Sequence, residues 1–510
     1  MKKKVVLFLP SPVSYSRSWR GVPLSLLAIS RILDKENFEI KIISRFLSDN
    51  PEKEILKEAQ DSICLGISAM IGFQIYDGLA LSKLVKEKYP ALPIVWGGWH
   101  SSILPKQTCE NPNVDIVVRG QGDFVFPELV KTLLKKEDLN QVLGITYKKG
   151  KKIISNPNRQ FGDINLLPPI PYHLVDIEKC VEPSEYGKRG IFYVSSYGCP
   201  FSCGFCVEPV VYKKQWIGLT ADRVVEEWGF LAKKYRIDSL VLADSNFFVD
   251  KKRVYEICRG LLKKQIKIKW RHVNGRISQL ASYESEIWEV MEKSGCVLIN
   301  TGAESGSQEA LDLIQKKLEV DETIKFTNLC KKYHIKVQFS FLLGLPWSKN
   351  QKLCELHIKD EYAKTISLVE KLNGISDSNR FTYYVYLPYP GAPLFDRAVK
   401  LGLKIPSSLI GWSNYLLSPE DAFKIITRQK WISPKMAKRV NMLSQYVFAL
   451  MDKSTIMLIE KLPDGPYKFI YKKIFFLARK IALLRFKYKF FSLSVDYFIF
   501  NWLHKHGKLD

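Results

Sequence analysis

The sequence predicts an α/β protein: two successive sheet-and-helix domains followed by a small α-helical C-terminal region. Over residues 1–140, short apolar runs alternate with segments whose apolar residues recur at helical spacing, the pattern of a parallel sheet wrapped by helices. The same alternation resumes from 190 to about 400 with six strand-like runs. Beyond 408 it gives way to blocks rich in aromatics and lysines. A chain of 510 residues with 46% hydrophobic and 25% charged residues has ample material for two or three cores.

In the first block the expected strands are Lys4–Leu9, Phe38–Ile43, Ser62–Ser68, Pro93–Trp96 and Val114–Val118, with helices over Pro23–Leu33, Phe73–Lys88 and Phe126–Leu134. Five strands in this rhythm describe an open, doubly wound, flavodoxin-like (Rossmann-type) domain, placed at 1–140. Ligands of such sheets lie beyond the carboxyl ends of the strands. The loops there are Pro10-Ser11-Pro12, Ser68-Ala69-Met70, Gly97-Gly98-Trp99-His100-Ser101 and Arg119-Gly120-Gln121-Gly122-Asp123. Their glycines let backbone approach a bulky ligand closely. On the residues alone they are equally well explained as turns, with His100 a loop histidine.

Residues 141–185 read as a linker, with a hairpin around Lys149-Gly150 and then Leu166-Leu167-Pro168-Pro169-Ile170-Pro171, whose prolines favour extended backbone. His173 and Cys180 in this segment are read as incidental. The second domain is placed at 186–407. Its expected strands are Ile191–Ser195, Ser239–Ala243, Ile266–His272, Val297–Thr301, Val337–Leu343 and Phe381–Leu387; its helices are Ala221–Tyr235, Arg253–Lys264, Glu284–Lys293, Gln308–Gln315 and Glu322–Tyr333.

Each of these strands is followed by unusual residues. The first leads into Tyr197-Gly198-Cys199-Pro200-Phe201-Ser202-Cys203-Gly204-Phe205-Cys206, three thiols spaced Cys-x3-Cys-x2-Cys. The second is followed by Asp244-Ser245-Asn246, the third by Asn274-Gly275-Arg276, the fourth by Gly302-Ala303-Glu304-Ser305-Gly306-Ser307, the fifth by Gly344-Leu345-Pro346 and the sixth by Pro388-Tyr389-Pro390-Gly391. Three close thiolates can hold three irons of a four-iron cluster, which normally takes four cysteines, so one iron is left open to a chelating small molecule. A Cys3His zinc site or buried free thiols remain the alternatives, although no histidine follows at finger-like spacing. The other seven cysteines are scattered singly, which is not a secreted disulfide framework.

The thiol spacing, with Phe205 before the third cysteine, resembles the radical S-adenosylmethionine (SAM) superfamily. The resemblance implies a partial (β/α)6 barrel whose [4Fe-4S] cluster, on Cys199, Cys203 and Cys206, takes SAM at its open iron and cleaves it to a 5′-deoxyadenosyl radical. By the same resemblance Phe205, Asp244, Arg276, Glu304, Ser305, Gly344 and Pro346 are assigned to SAM. For each alone, a cap or a turn is the plainer explanation. The Gly-Gly-x-His and Arg-Gly-x-Gly-Asp pieces upstream look like the cobalamin-binding domain of the cobalamin-dependent radical SAM class. Ser11, Ser68, Gly97, Gly98, His100, Gly120 and Gly122 are the matching cobalamin residues. Gln121 stands where that class usually has Glu, and the Asp-x-His-x-x-Gly sequence that supplies a cobalt-ligating histidine in other cobalamin proteins is absent.

The expected activity is therefore methyl transfer to an unactivated carbon, with [4Fe-4S], SAM and cobalamin as cofactors and a flavodoxin or ferredoxin as electron donor. A cyclase or rearrangement enzyme of the anaerobic magnesium-protoporphyrin ester cyclase type is the first alternative. A metal-dependent RNA-binding protein without catalysis is the second. Met1-Lys2-Lys3-Lys4 and the short apolar run after it do not make a signal peptide, and no stretch approaches 20 uninterrupted apolar residues, so the expected location is cytoplasmic.

The net charge of +25 is concentrated late: residues 421–510 carry 18 Lys/Arg against 6 Asp/Glu. In 408–510, Tyr467–Phe476, Arg485–Phe491 and Tyr497–Leu503 interleave bases with aromatics on either side of a break at Leu462–Pro466. This predicts a helical cap over the barrel mouth or, more sharply, a helix lying on the inner face of an anionic membrane, with a small-molecule or lipid-like substrate. Nucleic acid is not an expected partner, since no binding module is recognised.

Overall fold

The computed structural model describes residues 3–11, 21–415, 429–442 and 465–488. The aromatic block Tyr497–Leu503 and the pair Phe490-Phe491 lie outside them. The first sheet holds seven strands: β1 (Lys4–Leu9), β2 (Glu39–Ser44), β3 (Leu65–Ser68), β4 (Ile94–Gly97), β5 (Ile116–Val118), β6 (Ile145–Lys149) and β7 (Lys152–Ser155), in the order β2-β1-β3-β4-β5-β6-β7. The first five are parallel in the flavodoxin order, so the chain reverses its direction of winding between β1 and β3. Every residue of β1 is buried, as a central parallel strand covered on both faces requires.

The expected hairpin around Lys149-Gly150 is β6–β7, and it belongs to this sheet, pairing antiparallel with β5, so the first sheet extends to Ser155. Helix Pro51–Ala59, opened by Asn50 accepting the Lys53 N–H, was not anticipated; its alternating Glu and Lys mask a narrow buried stripe.

The second sheet is an open half-barrel in the order β16-β15-β14-β13-β12-β9-β8. Its six parallel strands are β9 (Gly187–Tyr193), β12 (Ser239–Leu242), β13 (Lys269–Gly275), β14 (Cys296–Glu304), β15 (Lys336–Leu343) and β16 (Arg380–Val385), the six expected from sequence. A short antiparallel strand, β8 (Glu182–Ser184), covers the β9 edge. Along β15, Val337, Phe339 and Phe341 are buried under the helices while Gln338 and Ser340 are half-buried on the concave face, the two-residue period of a strand.

Helix Gln351–Ile375, 25 residues long, fills a stretch to which the sequence reading gave no element. It buries residues on several faces, including Glu361 and Thr365, so no single apolar stripe marks it.

The last barrel helix is Pro393–Lys400, and most of the chain beyond it, where a helical cap was expected, lies outside the described residues. Leu409–Asn414 returns to the first domain, where the Trp412 indole N–H donates to Gln107 (2.6 Å) and its ring lies 5.7 Å from that of His100. Residues 429–431 do reach the barrel, with Gln429 donating to Tyr386 O (3.0 Å). No helix among the described residues is long and apolar enough to cross a membrane.

Candidate active site

The three clustered cysteines sit on one closed loop. Beyond β9, β10 (Ser196–Gly198) pairs antiparallel with β11 (Trp216–Gly218), so residues 199–215 leave and return at the same point above the half-barrel. Gly198 has φ +80°, and a Cβ there would lie 2.1 Å from Gln215 O; only glycine makes this closure. Within the loop Cys206 N–H bonds to Cys203 O (3.1 Å). Gly204 is stitched on both sides, its N–H to Ile314 O (2.6 Å) and its carbonyl to Leu394 N–H (2.9 Å). The loop is thus tied to the ends of two barrel segments.

Cys199, Cys203 and Cys206 are partly exposed, whereas the other seven cysteines are buried. Side-chain donors already face two of the sulfurs: Arg276 Nη1 lies 3.4 Å from Cys203 Sγ, and Asn246 Nδ2 lies 4.0 Å from Cys199 Sγ. Burial pushes the Cys206 thiol up to about 12 and raises Cys199 as well, so as free thiols these would stay protonated and would need a metal cation to hold them as thiolates. Three thiols within one short loop suit a cluster that spreads its ligands over separate irons.

The residues assigned to SAM divide into two groups. Glu304 lies at a bulge of β14 with φ +60° and accepts a 2.7 Å ion-paired bond from Lys316; both side chains are 9% exposed. Burial alone would lower the Lys316 ammonium, but Glu304 and Cys203 together outweigh it and the net shift is upward. Lys316 also stands 5.9 Å from the Phe205 ring. Arg276 stacks over Phe201 (4.4 Å) and donates its second arm to Lys317 O (3.1 Å), so its fork is spent on the cysteine loop and its neighbour. Phe205, Arg276, Glu304 and the missed Lys316 therefore gather beside Cys203.

The others stand apart from that group. Asp244 is fully buried and its carboxylate accepts from Ser195 N–H and Oγ and from Ser196 Oγ (2.5–3.2 Å), bracing the chain before the cysteines instead of presenting a free oxygen face. Burial raises its pKa even so, against those bonds and Arg253. Ser305 points behind the sheet to Glu361 and Thr365, both 3.4 Å away. Gly344 O faces the Trp431 indole and Pro346 O accepts from Arg397 Nε (2.6 Å), so these two carbonyls hold later segments of the chain.

On the first domain, the loops after β3, β4 and β5 converge as the fold requires. Gly98 has φ +95°, and a Cβ would lie 2.6 Å from Ala69 O, which fastens the β4 loop onto the β3 loop. Gly120 N–H bonds to Ser102 Oγ (2.9 Å), joining the β5 loop to the short helix Trp99–Ile103 that follows β4, and Gly122 begins helix Gly122–Lys135. Ser68 ends β3 beside Gly97 of β4. Ser11 lies further along the edge, its N–H on Asp77 (2.8 Å). His100 and Ser101 are buried, with His100 Nε2 and Ser101 Oγ lacking a hydrogen-bond partner, and burial lowers the imidazole to about 4, which keeps it neutral. Two orphaned buried polar atoms beside a glycine cradle are what a large polar-edged ligand would satisfy, so the residues fit a corrinoid.

The two halves meet at a cavity of about 200 Å³. Met70, Trp99, His100 and Ile103 of the first domain face Phe205, Cys206, Val207 and Tyr389 of the second across it. Met70, Trp99 and Tyr389 were missed because only the third dimension brings three separate loops together.

Residues 193–356 match the radical SAM superfamily and residues 16–130 match the B12 binding domain, between them more than half of the chain. The chain is 28% identical over 422 residues to an uncharacterized methyltransferase of Pyrococcus horikoshii, covering 81% of this chain and 86% of that protein. It is 25% identical over 337 residues to the anaerobic magnesium-protoporphyrin IX monomethyl ester cyclase of Rubrivivax gelatinosus, covering 65% of this chain and 57% of the cyclase. The fold superposes on the cobalamin-dependent SAM radical enzyme OxsB, solved with aqua-cobalamin and SAM bound, with a TM-score of 0.67 and 18% identity over 99% of this chain and 75% of that one. The order of the two domains, the Cys-x3-Cys-x2-Cys loop above an open half-barrel and these matches together place the chain in the cobalamin-dependent radical SAM family.

Proposed function

We propose that this chain is a methyltransferase that uses SAM, a [4Fe-4S] cluster and cobalamin to methylate an unactivated carbon of a small-molecule or lipid-like substrate. The observation that carries the reading is the shared cavity, in which Cys206 and Phe205 on the barrel side face Trp99 and His100 on the first domain. Bound on these two sides, the cluster with SAM supplies one-electron cleavage and cobalamin supplies a methyl carrier.

The chain's own residues bind, orient and exclude water. Cys199, Cys203 and Cys206 hold the cluster, with Arg276 and Lys316 placing positive charge beside it. Glu304, pinned by Lys316, presents a fixed carboxylate to the SAM side. Gly98, His100 and Ser101 cradle the corrinoid, and Met70, Trp99, Ile103, Val207 and Tyr389 keep water from the space between.

Two relatives point different ways, and the methyltransferase is matched over 86% of its length against 57% for the cyclase. Incubation with SAM labelled in its methyl group decides between them: label in the product supports methyl transfer, and a modified product without label rejects it.

Peripheral membrane contact is part of the same reading. Helix Pro466–Tyr488 carries seven Lys/Arg and no acid, and exposes Phe469, Ile470, Phe476, Leu477, Leu483 and Leu484, a composition suited to an anionic bilayer surface. Ten free cysteines and a strongly basic chain fit a cytoplasmic enzyme reduced by an acidic flavodoxin or ferredoxin. Co-sedimentation with vesicles containing phosphatidylserine, full-length protein against a chain ending at 407, tests the membrane part; equal partitioning refutes it.

A further inference from the structure

The seam between the two domains contains a part-buried polar contact that joins one cofactor loop to the other. Asp123 follows the Gly120-Gln121-Gly122 turn of the first domain and opens helix Gly122–Lys135. It is 6% exposed, and its Oδ1 accepts from the hydroxyl of Tyr197 (3.3 Å). Tyr197 lies on β10, two residues before Cys199. A single hydrogen bond therefore separates the cobalamin-side turn from the strand that launches the cysteine loop.

Its surroundings fix both ends. The Tyr197 ring stacks on Tyr212 (6.3 Å between centroids, 22° between planes), and Tyr212 stacks on Phe161 (5.6 Å). Phe161 lies against Gly120, where an added Cβ would meet its ring at 3.9 Å. The column thus starts and ends on the same two loops that Asp123 and Tyr197 join. Gln121 fastens the turn from the other side, donating to Gly162 O (3.2 Å) and accepting from Gly162 N–H (2.8 Å). Only a side chain with both a donor and an acceptor makes that pair, which accounts for Gln where the family usually has Glu.

Arg31, 4% exposed on helix Leu24–Lys35, completes the cluster. Its Nε and Nη1 find no hydrogen-bond partner, while Tyr197, Asp123 and Glu227 are the groups whose field it feels. Glu227 belongs to barrel helix Ala221–Tyr235 and is held by Tyr193 (2.7 Å) and Arg223 (3.0 Å). One buried cation thus faces acidic groups of both domains in a site where solvent screens them little.

We infer that Asp123 and Tyr197 are positioning residues that set the register of the two cofactor loops, so that corrinoid binding and cluster assembly are energetically coupled through their contact. The inference rests on the proposed cofactor assignment. Any movement of β10 as the cysteine loop takes up iron would load or release Asp123 at the foot of the cobalamin-side turn. By reciprocity, the corrinoid then changes retention of the cluster by the same factor.

The test uses the full chain, prepared anaerobically with and without its cluster, and titrates hydroxocobalamin by absorbance. The wild type is expected to bind hydroxocobalamin about fivefold or more differently in the two forms. Tyr197→Phe and Asp123→Asn are expected to bring that ratio to within about twofold of one, with the iron content of the loaded form kept. A merely structural role would lower stability without changing the ratio.

Should one variant fail to fold, the other carries the test, as does the electron paramagnetic resonance spectrum of the reduced wild-type cluster, which is expected to shift on adding hydroxocobalamin. A wild-type ratio of one, or variants that keep the wild-type ratio, overturns the inference while leaving the cofactor assignment standing. Failure of every form to bind hydroxocobalamin overturns the assignment and the inference together.

Discussion

Replacing Lys316 by Met should destabilise the barrel more than any ordinary charge deletion. The Lys316 ammonium lies 2.7 Å from Glu304, and both side chains are 9% exposed. Gly302 closes the other side, where even a Cβ would lie 1.8 Å from the Glu304 carboxylate. Glu304 has φ +60° on a β-bulge, so its backbone cannot easily swing the carboxylate out to water.

Met fills the volume of the lysine stem but leaves the carboxylate buried without its partner. Breaking a buried pair in this way costs about 3–5 kcal/mol, against about 0–1 kcal/mol for an exposed one. The assay is anaerobic urea unfolding of the cluster-free protein, followed by the fluorescence of the barrel tryptophans Trp228, Trp270 and Trp288, which are buried. In the double variant Lys316→Met with Glu304→Gln the orphaned charge is gone, so about 1–3 kcal/mol of the loss should return. A loss below about 1 kcal/mol for Lys316→Met, or no recovery in the double variant, would show that the pair is solvated and the argument wrong.

Four further outcomes follow from the same geometry. Arg276→Gln should keep its iron but shift the cluster midpoint to a more negative potential, because a cation and an N–H donor to Cys203 are lost; Arg276→Lys should recover part of the shift, and an unchanged potentiometric titration would refute the role. Gly98→Ala should lose about 2–4 kcal/mol and its hydroxocobalamin binding, since the new Cβ meets Ala69 O at a positive φ; wild-type binding would contradict it.

Gln121→Glu should cost about 1–3 kcal/mol at pH 8, where a carboxylate cannot donate to Gly162 O, and less near pH 4, where the protonated acid can; a pH-independent loss in urea unfolding would contradict this. Burial holds Glu361 up to about 8, above the ordinary 4.5, so the native chain keeps a proton that the unfolded chain has released. Stability from this group is full below about pH 4.5 and is lost as pH rises through about 8, with a slope of at most about 1.4 kcal/mol per pH unit. Glu361→Gln should remove that part of the decline in melting temperature, and identical pH profiles would refute it.

The strands were legible because their apolar runs are local: β1 spans the expected Lys4–Leu9, and helix Phe73–Lys88 has the expected bounds. The cysteine loop was legible for the same reason, three thiols within eight residues. What escaped depends on contacts distant in sequence.

Nothing near Lys316 announces an ion pair twelve residues away across a bulge, and nothing near Trp412 announces a ring packed on His100. Asp244 and Ser305 were placed correctly at strand ends, but which way their side chains turn is set by Ser195, Ser196 and Glu361, none of which stands beside them in sequence. The hairpin at Lys149-Gly150 was visible as a hairpin; that it extends the first sheet depends on the free edge of β5.

The claim on which the rest stands is that the three thiols hold an iron–sulfur cluster able to cleave SAM. Anaerobic loading with iron and sulfide, followed by dithionite and SAM and quantification of 5′-deoxyadenosine, tests it most directly. The account predicts about four irons per chain and release of the nucleoside, both lost when Cys199, Cys203 and Cys206 are replaced by Ala. Tightly held zinc in place of iron, with SAM returned intact, would contradict it.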